Sequence, residues 1–210
     1  MGILGRPLRG IIPPMITPLL DRDTLDVTGL ERLIEHILAG GVHGLFILGT
    51  TGEAASLSHR LRHEFIDRVC SQVNRRVPVL VGITDTSFVE SVNVAQKAAQ
   101  AGADALVLAP PYYFPAGQPE LLEYLRHLTS ELSLPLFLYN LPNRPRPGFE
   151  LDTVRAAADI PGIAGIKDSS GDMAYFRKLL DVARGKPGFA VFMGPEEKLA
   201  EAMRLGASGG

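Results

Sequence analysis

Seven short apolar runs, separated by amphipathic stretches, restrict what this chain can fold into more than any other feature. The runs cover 10–16, 45–48, 77–81, 105–109, 136–139, 163–166 and 190–192. Most lack polar alternation, which predicts strands covered on both faces. The first is the least regular, because Pro13-Pro14 removes two ladder donors and predicts distortion of its second half. Between the runs lie helical patterns. Asp26 can cap a helix whose stripe is Val27, Leu30, Ile34, Ile37 and Leu38, and Ser58 can cap one bearing Leu61, Phe65, Val69 and Val73. A third covers 89–99 and stops at Gly102, and a fourth follows Gln118-Pro119. Shorter ones are expected at 151–158, 173–182 and 196–205, with Pro195 in the first turn of the last. Strict alternation predicts an α/β fold with a parallel sheet and right-handed crossovers. A doubly wound sheet and a (β/α)8 barrel both satisfy it. No linker or composition break divides the chain, so residues 1–210 are read as one domain.

Composition narrows the function classes. A net charge of -2 gives no basic field for nucleic acid, and no stretch approaches the roughly 20 apolar residues that span a bilayer. The single cysteine, Cys70, excludes an internal disulfide framework and any multi-cysteine metal site, and fits a reducing cytoplasm. Walker, Gly-x-Gly-x-x-Gly and nucleophile-elbow motifs are absent. His59 and His63 stand four apart near a helix start without a ligand-rich context, and read as solvated helix-face residues.

Polar chemistry collects where the apolar runs end. The sixth run closes on Lys167, followed by Asp168-Ser169-Ser170-Gly171. A lysine there brings an amine to the rim of an apolar layer, where desolvation disfavours the ammonium and leaves a nucleophile for a Schiff base. The same residue also fits a lysine that carries its charge into water past a strand end. The second run enters Gly49-Thr50-Thr51-Gly52-Glu53, which suits either a ligand loop or a plain turn. Tyr139, at the end of the fifth run, can relay protons or simply pack, and Tyr112-Tyr113 can line a site or cover a core edge. Glu53 is expected to stabilise its loop or a helix N-terminus. In a barrel all these ends share one rim, where active sites are built.

Four segments together resemble the dihydrodipicolinate synthase and N-acetylneuraminate lyase family of class I, pyruvate-dependent aldolases. They are Gly49-Thr50-Thr51-Gly52-Glu53, Pro111-Tyr112-Tyr113, Tyr139-Asn140-Leu141-Pro142 and Gly165-Ile166-Lys167-Asp168, in the family order. The resemblance implies a TIM (β/α)8-type barrel in which Lys167 forms an imine with pyruvate or another 2-oxo acid, without a cofactor or metal. Tyr139 would shuttle protons, with Thr50 in its relay and Thr50 and Thr51 holding the substrate carboxylate. Tyr113 would reach a neighbouring subunit, which implies a homo-oligomer, dimer or tetramer. Gly194 would border the bound 2-oxo acid, and Arg144 would bind the aldehyde partner. The sequence around Arg144, Asn143-Arg144-Pro145-Arg146-Pro147, departs from the synthase pattern, so a 2-keto-3-deoxy sugar acid aldolase or dehydratase is the alternative. The resemblance further implies that Leu205 to Gly210 leads into an eighth strand. About seven β/α units are then present, where such a barrel takes about 250 residues. This predicts a fragment with unpaired edges on its first and seventh strands and exposed apolar surface, and a catalytically incompetent chain is one outcome.

Overall fold

The computed structural model describes residues 8–114, 116–142 and 148–210. Six strands among them form one parallel sheet in sequence order: β1 (Leu45–Ile47), β2 (Val79–Gly82), β3 (Ala105–Leu108), β4 (Leu136–Asn140), β5 (Ile163–Asp168) and β6 (Ala190–Met193). Seven helices accompany them: α1 (Val27–Ala39), α2 (His59–Val73), α3 (Phe88–Ala101), α4 (Gln118–Glu131), α5 (Leu151–Ala157), α6 (Met173–Arg184) and α7 (Leu199–Leu205). The order is that of a (β/α)8-type barrel, with each helix wrapped outside the curling sheet.

Helix starts follow local chemistry. The Asp26 carboxylate accepts from the Gly29 amide at 2.9 Å, and the Ser58 hydroxyl accepts from the Leu61 amide at 3.2 Å. Asp172 caps α6 by accepting from the amides of Ala174 and Tyr175. The expected helix over 196–205 is instead a 3-10 turn, Glu196–Lys198, followed by α7, with Pro195 ahead of the turn.

The expected strand over 10–16 is not a regular strand. It makes isolated parallel bridges, Gly10 with Gly209 and Pro14 with Phe46, because the two prolines interrupt its ladder. It still joins β1: the Met15 amide donates to Phe46 O at 2.8 Å, and the Phe46 amide to Pro13 O at 3.0 Å. The expectation of bare edges on this segment and on β6 is also overturned. Residues 208–210 lie between them, with the Ser208 amide donating to Val191 O, the Met193 amide to Gly209 O and the Ile12 amide to Gly210 O. A circuit of main-chain hydrogen bonds therefore runs round the whole ring, and no backbone donor row at this seam is left to face water.

Strand parity separates two cores. Leu45, Ile47, Val79, Val81, Leu106, Leu108, Leu136, Leu138 and Ile166 pack outward against the helices. Phe46, Leu80, Ala105, Val107, Phe137, Tyr139, Ala190 and Phe192 fill the interior, with Leu8 and Ile12 beneath them. Side chains alternate faces along a strand, so one face of every strand enters each core. Strand β5 would break this pattern but for a bulge. Leu136 pairs with Ile163, yet Phe137 pairs with Gly165, which leaves one extra residue on β5. The shift lets Ile163 and Ile166 both point outward and turns Lys167 inward, in register with Tyr139 and Phe192. Gly165 makes the bulge possible: a Cβ there would stand 2.3 Å from Ala190 O and 2.8 Å from the Phe137 ring. A Gly165→Ala substitution is expected to push β5 from β6 and cost about 1–3 kcal/mol. Urea unfolding of the two proteins checks this.

Candidate active site

Lys167 stands half-buried on the inner face of β5. Its Nζ lies 4.4 Å from the centre of the Tyr139 ring and 5.1 Å from that of Phe46. The Phe46 and Tyr139 rings meet edge to face with centres 6.2 Å apart, and Phe137 meets Phe192 in the same manner at 6.0 Å. These four aromatic side chains surround the foot of the site. A cavity of about 170 Å³ opens beside it, lined mainly by apolar side chains of the 11–14 segment and by Phe192, Met193 and Gly194. Glu196 brings a side-chain carboxylate to its wall. The Gly194 amide donates to Asp168 O at 2.8 Å. A side chain at 194 would collide with Ser169, since a Cβ there falls 1.9 Å from its Oγ.

A second cavity, of about 280 Å³, adjoins the first across the Phe46 ring and carries Thr50, Tyr112 and Tyr139 on its wall. Beyond β1 the chain turns at Leu48, whose φ of 56° is strained for a bulky side chain. That turn delivers Thr50 to β4, with its hydroxyl 3.4 Å from the Tyr139 hydroxyl. Tyr139 is itself 7% exposed, so its hydroxyl is reached from the cavity and hardly elsewhere.

The sequence-expected residues do not all converge. Lys167, Tyr139, Thr50 and Gly194 share the barrel mouth, while Thr51 is exposed on the turn and lines neither cavity. Tyr113 does not cover a core edge: it is 72% exposed and stacks edge to face on Phe114, itself 77% exposed. Arg144 lies outside the described residues. Glu53 makes no side-chain cap to the 3-10 turn after it, and its own backbone is left-handed at φ 54°.

Sequence reasoning gave no role to Asn140 and Asp168, which the structure buries at the C-terminal ends of β4 and β5. Burial pushes the Asp168 carboxyl above its ordinary range, against the lowering effect of hydrogen bonds from Asn140 and Ser170. Nor are the α2 histidines simply solvated. His59 bridges Asp85 at 3.1 Å and Glu90 at 3.5 Å, and His63 Nε2 is buried without a hydrogen-bond partner. Among the described residues, no group of three or more His, Cys, Asp or Glu side chains is arranged to hold a metal ion.

The sequence matches the model of the dihydrodipicolinate synthetase family over residues 7–210. The chain belongs to that family. A 4-hydroxy-tetrahydrodipicolinate synthase of Cellvibrio japonicus is 36% identical over 202 residues, covering 96% of this chain and 69% of that protein. The dihydrodipicolinate synthase of Bacteroides thetaiotaomicron superposes with a TM-score of 0.94 at 55% identity, over 98% of this chain and 69% of that one. The Acinetobacter baumannii synthase, solved with pyruvate, superposes at 0.91 with 35% identity, over 96% of this chain and 69% of that one. The family barrel is thus shared across nearly all of this chain, which spans about 69% of these relatives' length.

Asp85 offers a test of the rim that carries this site. Its carboxylate is buried beside an equally buried Arg62, whose Nη1 donates to it at 2.7 Å. Burial raises its pKa, but the Ser87 amide, Arg62 and His59 together outweigh that and hold it at about 2, below the ordinary 3.8. A value depressed in the folded state stabilises the fold above about pH 4, and that contribution is lost as pH falls through about 2. An Asp85→Asn variant is expected to lose about 2 kcal/mol or more at pH 7, since it also strands Arg62. It should then lose little further between pH 4 and 2, a contrast that denaturant titrations across that range measure.

Proposed function

We propose that the protein is a Schiff-base lyase that condenses pyruvate, or a related 2-oxo acid, with an aldehyde, or cleaves such an adduct. The observation that carries the reading is the inward Lys167 amine, 4.4 Å from the Tyr139 ring, in a mainly apolar cavity. Family membership and the pyruvate bound to the Acinetobacter relative support the substrate class.

The Lys167 amine attacks the ketone carbon of the 2-oxo acid, and loss of water leaves an imine. The imine, once protonated on nitrogen, draws electrons from the neighbouring C–H bond, whose proton departs to give an enamine. The enamine carbon then bonds to the aldehyde carbon, and the aldehyde oxygen takes up a proton. Water finally hydrolyses the imine and returns the amine. Tyr139 is the group that carries protons in these steps, with Thr50, 3.4 Å from its hydroxyl, as the next member of the relay. Gly194, on the wall of the cavity beside Lys167, borders the 2-oxo acid. Thr51 completes the carboxylate loop through its main chain, and Arg144 takes the aldehyde partner. The imine itself is the electron sink, so the reaction calls for no cofactor or metal.

The exposed Tyr113–Phe114 pair supports a homo-oligomer in which Tyr113 of one subunit meets the relay of another. The reading takes 1–210 as one folding unit, supported by the hydrogen bonds that join 10–12 to 208–210. No helix among the described residues is long and apolar enough to cross a membrane. A cytoplasmic setting suits Cys70, a buried thiol that burial pushes up to about 12.

Borohydride added with pyruvate is expected to leave one reduced adduct, on Lys167, located by peptide mass mapping; Lys167→Arg should carry none. Tyr139→Phe should still be labelled but turn over about 10²–10⁴-fold more slowly. Labelling at another lysine would overturn the mechanism.

A further inference from the structure

Directly behind the Lys167–Tyr139 pair, on the opposite face of the same two strands, stands a second pair. Tyr139 is in register with Lys167, and the next residues, Asn140 and Asp168, are in register with each other. Alternation turns these two outward into the layer between sheet and helices. Both are buried, at 2% and 0% exposure, beside outward side chains of the same strands that are apolar, Leu136, Leu138, Ile163 and Ile166.

Every polar atom of the two side chains is engaged. Asn140 Nδ2 donates to Asp168 Oδ1 at 2.8 Å, and Asn140 Oδ1 accepts from the Phe149 amide at 2.9 Å. Asp168 Oδ1 also accepts from the Ser170 amide at 3.2 Å, and Oδ2 from the Ser170 hydroxyl at 2.9 Å. The main chain ties in further neighbours. The Ser169 amide donates to Asn140 O at 2.9 Å, and the Gly194 amide to Asp168 O at 2.8 Å. Tyr175, on α6, donates its hydroxyl to Phe149 O at 2.5 Å.

Parallel ladder bonds repeat along the strands, and the apolar outer residues are nearly interchangeable, so neither fixes how β4 sits against β5. A slip of two residues would keep the faces and most ladder bonds. It would also set a buried carboxylate against leucine and leave Asn140 unpaired, at large cost.

We propose that Asn140 and Asp168 are positioning residues: their buried hydrogen bond locks the register of β4 against β5 and so holds Tyr139 opposite Lys167. They touch no reacting atom and act only through the residues one position earlier on each strand. This rests on the imine chemistry read for Lys167, where a displacement of about 1 Å can cost about 10²-fold in rate.

The test compares Asn140→Leu, the milder Ser170→Ala, the swap Asn140→Asp/Asp168→Asn, and Val69→Ala in α2 as a control for lost stability. Two readouts are taken: the rate of borohydride trapping with saturating pyruvate together with its pyruvate half-saturation, and the NOE between Lys167 and Tyr139 side chains without substrate. Asn140→Leu is expected to slow trapping about 10–100-fold with half-saturation changed less than about threefold, and Ser170→Ala about 3–10-fold. The swap keeps one donor and one acceptor between the strands and should recover trapping to within about threefold of the parent. Val69→Ala should trap at the parent rate despite a lower Tm. The NOE should weaken in Asn140→Leu and return in the swap. If Asn140→Leu does not fold, Ser170→Ala and the swap decide alone. Trapping that follows Tm equally in all variants, or a folded swap that recovers neither readout, overturns the proposal. A parent protein that is not labelled on Lys167 overturns the imine reading instead, and the NOE series then judges the register lock by itself.

Discussion

One extra residue in β5 decides on which side of the sheet the lysine stands. Strand parity is a hard constraint, since a shift of one position exchanges every inward side chain for an outward one. The bulge between the Leu136–Ile163 and Phe137–Gly165 pairs applies that exchange to the second half of β5 alone. Its first half can then give Ile163 to the outer core while its second half gives Lys167 to the interior. Gly165 is what the bulge demands, because the backbone of β6 occupies the space a side chain would need. The cavity, the aromatic floor and the contact with Tyr139 all depend on that change of phase.

Around this point the barrel divides its work by height. The interior is apolar, with Leu8, Ile12, Leu80 and the paired rings of Phe137 and Phe192 packed together. The upper rim is polar and strained, with left-handed Leu48 and Glu53 bending the 48–53 loop over the mouth. The irregular backbone at this rim does what a regular strand could not, delivering Thr50 to Tyr139.

Much of this was legible in the residues. All six strands, and caps such as Asp26 and Ser58, follow from continuous apolar runs and short-range hydrogen bonding. The lysine, its tyrosine and Thr50 were legible because each ends an apolar run, and parallel strands gather such ends on one rim. What stayed hidden depends on register. The parity change at β5 cannot be counted from a run such as Ile163-Ala164-Gly165-Ile166, which reads equally well in either phase. The Asn140–Asp168 pair was visible only as part of a family resemblance, since nothing local tells two residues 28 apart that they will face each other. The 10–16 segment and residues 208–210 deceived for a related reason: proline and glycine spoil a strand pattern without preventing isolated bridges between main chains.

Those bridges have a consequence for how the chain reaches its folded state. Neighbouring strands are joined through a single helix, so most pairings close short loops and can form early. The contact of Gly10 with Gly209 closes a loop of roughly two hundred residues and returns only a few hydrogen bonds. It raises the mean sequence separation of contacts and belongs late in assembly, after the intervening units have curled the sheet far enough to bring the two ends together. The seam is therefore a natural place for the barrel to breathe. It lies along the 11–14 segment and β6, the walls of the cavity beside Lys167, so opening it would loosen that wall before the helices come apart.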